Sequence, residues 1–128
     1  MTNRASGTFE VRLSPEGTDD SGVVGRMSID KQFHGDLEAG SKGQMLTAGT
    51  SVKGSAGYVA MERVNGTLHG RSGSFVLQHS GSMTRGTPQM TVAVVPDSGT
   101  DQLAGLSGWM TIKIDQGKHS YELEYTLS

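Results

Sequence analysis

Residues 54–81, GSAGYVAMERVNGTLHGRSGSFVLQHSG, read as two long β-strands joined by a tight turn. Asn65-Gly66 separates two alternating runs, residues 57–64 and 67–79. Asn-Gly is the strongest short-range hairpin signal, because a type I′ turn needs positive φ at both central residues. A turn there sets Val64 opposite Thr67, Arg63 opposite Leu68 and Glu62 opposite His69. With a side-chain period of two, Tyr58, Ala60, Glu62, Val64, His69, Arg71, Gly73, Phe75, Leu77 and His79 share one face. Val59, Met61, Arg63, Leu68, Ser72, Ser74, Val76 and Gln78 occupy the other. The first face mixes large apolar groups with small ones at Ala60 and Gly73. It is therefore expected to point inward and to leave room for a ligand. The second is expected to pack against another subunit through Val59, Met61, Leu68 and Val76.

Working outward, strand-like alternation recurs at residues 8–13, 23–33, 89–95, 103–114 and 119–127. In the second of these, Met27, Ile29 and Lys31 share a face against Ser28, Asp30 and Gln32. Residues 36–50 are expected to form a strand broken by Gly40 and Gly43, and residues 14–22 and 80–86 to form loops. No segment repeats apolar residues at helical spacing. Glycine is abundant, at 19 residues, and proline is scarce, at 3, which fits many turns and bends between regular strands. About eight short-looped strands imply an all-β sandwich or barrel. Long terminal strands, apolar on one face, would be aggregation-prone if left as edges. A closed eight-stranded antiparallel barrel is therefore expected, as a single domain over residues 1–128. Such a barrel is just wide enough to hold one small ligand.

The formal net charge is −2 and the basic residues are scattered, which argues against nucleic acid as a partner. No cysteine is present, so disulfides and thiolate metal sites are excluded. No apolar run has the length of a membrane span or the form of a signal peptide. The expectation is a cytoplasmic protein with no membrane partner.

Glu62 is the foremost candidate for chemistry. A carboxylate inside an apolar barrel is desolvated, which is expected to raise its pKa and make it a general base near neutral pH. His79 and His69 are candidate acid/base partners. Tyr58, Arg71, Phe75, Leu77 and Trp109 are candidate ligand-binding residues. Glu62, His69 and His79 have the right types for a metal, but no short ligand motif accompanies them, so none is expected. The bland alternative is a structural ion pair of Glu62 with Arg71, His69 or Arg63. The glycine-rich GRSGSF segment lacks the strand-to-helix setting of a phosphate loop, and no GxSxG elbow is present.

Three segments, GYVAMERVNGTLHGRSGSFVLQHSG, VVPDSGTDQLAGLSG and HSYELEYTL, together resemble the bacterial domain of unknown function 3224 family, over about residues 8–127. In the second, Asp101 stands where the family pattern leads one to expect glycine. The resemblance implies an allene-oxide-cyclase-like barrel, related in shape to lipocalins. The wider barrel group includes cyclases and isomerases of apolar substrates, which is analogy from fold and fixes no reaction. Three readings follow. One is a cofactor-free isomerase, cyclase or lyase-type enzyme that acts on an apolar or aromatic molecule through Glu62. The second is a non-catalytic ligand carrier, and the third a structural protein with a filled barrel. A homo-oligomer, dimer or trimer, is expected under all three, because both hairpin faces carry apolar residues.

Overall fold

A computed structural model describes residues 2–128. The strands are β1 (Asn3–Thr18), β2 (Val24–Gly35), β3 (Leu37–Gly49), β4 (Ala56–Leu68), β5 (Arg71–Thr84), β6 (Thr87–Val94), β7 (Leu106–Asp115) and β8 (Lys118–Leu127). Each is antiparallel to its neighbours in chain order, and β8 returns to β1, so the sheet closes into the expected eight-stranded barrel. Among the described residues, no helix is long and apolar enough to cross a membrane.

The central hairpin turns four residues later than Asn65-Gly66 suggests. His69 and Gly70 form the turn, with φ of +48° and +80°, and Leu68 pairs with Arg71. Asn65 and Gly66 continue the strand. Gly66 is required for close packing: a Cβ there would lie 2.2 Å from the Glu38 carbonyl oxygen and 2.6 Å from the Ala39 Cα on β3. Glu62 consequently faces Leu77, not His69. Because the turn moves by an even number of positions, the two faces survive the change of register. Ala60, Glu62, Val64, Phe75, Leu77 and His79 are all buried inside, while Val59 and Met61 are outside and half exposed. Leu68 is the exception. It was expected outside, yet it belongs to the inward face of β4 and is fully buried.

Other boundaries move for similar local reasons. Gly40 and Gly43 bend β3 without ending it. β1 runs on through the expected loop to Thr18, across a bulge between Pro15 and Gly17. β5 runs on to Thr84 and turns at Arg85-Gly86. Leu103 lies outside β7, in a short 3-10 turn over Asp101–Leu103.

That turn helps to close one end of the barrel. Leu103 is 1% exposed and packs with Leu37, Leu68, Phe75, Leu106 and Leu123 in one apolar cluster. Burying each such side chain contributes about 1.5–3 kcal/mol. The loop is pinned to β5, where Thr100 Oγ1 accepts from the Ser74 amide at 3.0 Å. Asp101 has φ of +53°, a left-handed conformation suited to the glycine expected there. At the other end the inward positions stay open: Leu13, Met83, Met90 and Ile114 are apolar yet 43–63% exposed. The wall is also split on this side. Only two residue pairs, Val92 with Met110 and Ala93 with Trp109, join β6 to β7.

Candidate functional site

Between the filled and open halves, four successive strands place polar side chains on the inward face. Lys31 on β2 is the register partner of Ser41 on β3. Glu62 on β4 is opposite Gly43, and His79 on β5 is opposite Ala60. These small partners, Gly43 and Ala60, leave space for the longer groups to converge. Lys31 Nζ donates to Glu62 Oε2 at 2.9 Å, and Ser41 Oγ donates to Oε1 at 2.9 Å. His79 Nδ1 stands 3.6 Å from Oε2, an ion-pair distance longer than a hydrogen bond. With the Nδ1 proton directed at Glu62, His79 Nε2 accepts from the Tyr58 hydroxyl at 2.6 Å. Tyr58 lies across Gly81, where a Cβ would come within 2.6 Å of ring atom Cε1.

The electrostatics reverse one expectation. Burial is the strongest single influence on Glu62 and pushes its pKa up. The His79 N–H, the Lys31 ammonium and the Ser41 hydroxyl together outweigh it, so the carboxyl titrates below its ordinary value. Glu62 is therefore a stable anion and a weak base, placed to orient and balance its neighbours. Tyr58 moves the other way: burial first, then the Glu62 charge, raises its pKa and keeps the hydroxyl protonated. Lys31 is 7% exposed, and its Nζ lies 5.0 Å from the Phe9 ring centroid and 5.9 Å from that of Phe33. Such cation–π placement adds about 0.5–2 kcal/mol. Among the described residues, every buried side-chain nitrogen and oxygen has a hydrogen-bond partner.

Lys31, Tyr58 and His79 face a cavity of about 140 Å³ in the open half. Its walls are otherwise mostly apolar, including Val11, Ile29, Met45 and Ile112, with His119 at one side. Glu62 and Ser41 do not line it. A larger, shallower hollow of about 550 Å³ lies against Leu46, Val59 and Thr91, and Tyr58 is its only titratable group.

The structure thus brings together Glu62, His79 and Tyr58 and disperses the other candidates. His69 sits at the hairpin turn, seven residues beyond Glu62, hydrogen-bonded to the Tyr125 hydroxyl and 3.6 Å from Asp36. No Glu62/His69/His79 set is assembled. Arg71 is exposed at the same turn, because pairing with Leu68 puts it at the rim. Trp109 points outward from β7 and is 54% exposed. Phe75 and Leu77 pack in the filled half and do not line the cavity. Glu62 is indeed ion-paired, but with Lys31, which replaces the Arg71, His69 and Arg63 considered above. Sequence reading overlooked Lys31 and Ser41 as site residues. Lys31 carried a usable signal, since it lies in phase with the inward Ile29 and Phe33. Ser41 is likewise in phase with Leu37 and Ala39.

The sequence pattern of the family described as "Protein of unknown function (DUF3224)" matches residues 5–125. A solved structure from Shewanella oneidensis MR-1, described as a DUF3224-family protein with unknown function, is 50% identical and superposes with a TM-score of 0.95. That alignment covers 100% of this chain and 98% of the Shewanella chain. No curated protein matches the sequence. On the match across nearly the whole chain, and on half-identity to a member of the same fold, the protein belongs to the DUF3224 family.

Proposed function

We propose that the open half of the barrel binds a small apolar or aromatic molecule, and that Tyr58 and His79, held by Glu62, exchange a proton with it. One observation carries this reading: the Tyr58–His79–Glu62 chain, 2.6 Å and 3.6 Å between successive groups, reaches the floor of an apolar cavity. The balanced step breaks a substrate C–H bond. Its proton passes to the Tyr58 oxygen as the Tyr58 proton passes to His79 Nε2, and Glu62 faces the resulting imidazolium. Return of the proton at another carbon completes an isomerisation; alternatively the new carbanion attacks an electrophilic carbon of the same molecule, and return of the proton to the anion so formed completes a cyclisation. No cofactor enters the scheme. A positioned acid/base group contributes typically about 10²–10⁴-fold to rate.

A nitrobenzisoxazole tests this without knowledge of the natural substrate. Base removal of its C–H proton opens the N–O bond to give a coloured phenolate. Saturable ring opening by the wild type is expected, reduced roughly 10²-fold in His79→Gln. Tyr58→Phe should lose a similar amount. Equal turnover by wild type and both variants overturns the proton-transfer reading. The apolar walls favour a carrier as the second reading, supported if unreacted ligand copurifies. The proposal extends to self-association through Leu46, Val59 and Met61, which are outward and half exposed on adjacent strands. Sedimentation of the wild type against Val59→Asp tests it. A monomeric wild type overturns it.

A further inference from the structure

We propose that the molecule bound in the open half is a neutral carbonyl compound about one ring in size, and that its carbonyl oxygen accepts a hydrogen bond from Lys31 Nζ. This rests on the small-molecule reading above and narrows it to a ligand class.

The first argument is donor supply. The Lys31 ammonium has three N–H donors. One is used on Glu62 Oε2 at 2.9 Å, and among the described residues no other hydrogen bond from Nζ is made. The rings of Phe9 and Phe33 stabilise its charge but offer no oxygen. Lys31 nonetheless lines the cavity, so its remaining donor capacity lies next to any occupant. The Tyr58 hydroxyl, by contrast, is already hydrogen-bonded to His79 Nε2.

The second argument is charge. The Lys31 cation and the Glu62 anion cancel. The other titratable side chains on the cavity are Tyr58, His79 and His119, and no carboxylate lines it. A carboxylate ligand would bring an uncompensated anion into an apolar site beside the buried Glu62, which is costly. A neutral acceptor meets the free donor without that cost. The third argument is size. About 140 Å³ is close to the roughly 150 Å³ of an apolar cavity that accepts benzene.

The placement also suits the chemistry. With the carbonyl on Lys31, an adjacent Cα–H faces Tyr58 and His79. Breaking that bond sends its electron pair toward the carbonyl oxygen, where the ammonium stabilises the developing enolate. The proton goes to the Tyr58–His79 pair and returns when the carbonyl re-forms.

The test measures binding of acetophenone, ethylbenzene and benzoate to the full chain, together with the infrared carbonyl stretch of bound acetophenone. Lys31→Met alone strands Glu62 and risks unfolding, so the comparison variant is Lys31→Met with Glu62→Gln. Acetophenone is expected to bind the wild type at least about tenfold more tightly than ethylbenzene or benzoate, as a charge-assisted hydrogen bond requires. Its carbonyl stretch should shift to lower frequency, and both preference and shift should vanish in the double variant. Equal binding of acetophenone and ethylbenzene overturns the carbonyl class and leaves the apolar pocket standing. Preferred binding of benzoate overturns the charge argument in the same way. Failure of all three to bind at millimolar concentration overturns the pocket itself.

Discussion

The two halves of this barrel are built from the same eight strands with the same inward alternation, yet one is filled and the other is furnished. In the closed half, inward positions hold Phe33, Leu37, Leu68, Phe75 and Leu123, capped by Leu103, and all are at most 1% exposed. Toward the open half the corresponding positions hold Lys31, Ser41, Glu62, His79 and Tyr58, followed by apolar residues left partly in solvent. Closed-half burial contributes to holding the strands together. A buried charged pair is by contrast weak evidence for a stabilising role, because well-packed apolar groups often serve stability as well or better. The division therefore concentrates apolar burial at one end and ionisable side chains toward the other.

The sharpest way to break this comparison is to truncate matched inward residues. Phe75→Ala in the closed half should cost about 3–5 kcal/mol, and Ile114→Ala at the open rim about 0.5 kcal/mol or less, by denaturant unfolding. Similar costs at both ends would remove the distinction. Next comes the charged layer. Lys31→Met should lose about 3–5 kcal/mol by leaving Glu62 buried and unpaired, and adding Glu62→Gln should restore much of it. If the two changes are additive in a double-mutant cycle, the pair is not coupled.

Acid gives a third, smaller effect with a defined sign. The folded Glu62 carboxyl titrates below its ordinary value of 4.5, so its charge contributes stability at every pH above that value. The contribution is lost as pH falls from there through the lower folded value. Thermal unfolding followed as the pH is lowered past 4.5 should fall more steeply for wild type than for the Lys31→Met/Glu62→Gln double variant. Parallel profiles would count against an ionised Glu62. Smallest is Asp101→Gly. Relief of its left-handed backbone, less the extra freedom of the unfolded chain, should stabilise by about 0.5 kcal/mol. A loss of stability would mean that the Asp101 side chain supports the closing loop.

Architecture was legible in the sequence because closure and facing depend on alternation, and alternation is local. Leu68 apart, the two faces of the central hairpin follow from alternation although its turn lies elsewhere than expected. Asn65-Gly66 is the stronger local turn signal, but β3 packs so closely on Gly66 that the glycine is used for proximity and His69-Gly70 makes the turn. Glu62, Tyr58 and His79 were legible as site residues because they share one hairpin and one face. Lys31 and Ser41 come from the neighbouring hairpin. Their approach to Glu62 depends on strand register across the barrel, which no single segment encodes. The pKa of Glu62 followed the same course: desolvation could be read from burial, but the donors that outweigh it could not be read without those neighbours.

The thin join between β6 and β7 has a consequence for girth. In a fully hydrogen-bonded barrel, strand number and shear fix the diameter. Here the ladder between β6 and β7 is only two residue pairs long and sits at the level of His79, so above and below that level the girth is held by the other seven ladders alone. Parting β6 from β7 would cost two residue pairs, the fewest between any neighbouring strands of the barrel. The seam between β6 and β7 is thus the place where the barrel's girth is least constrained.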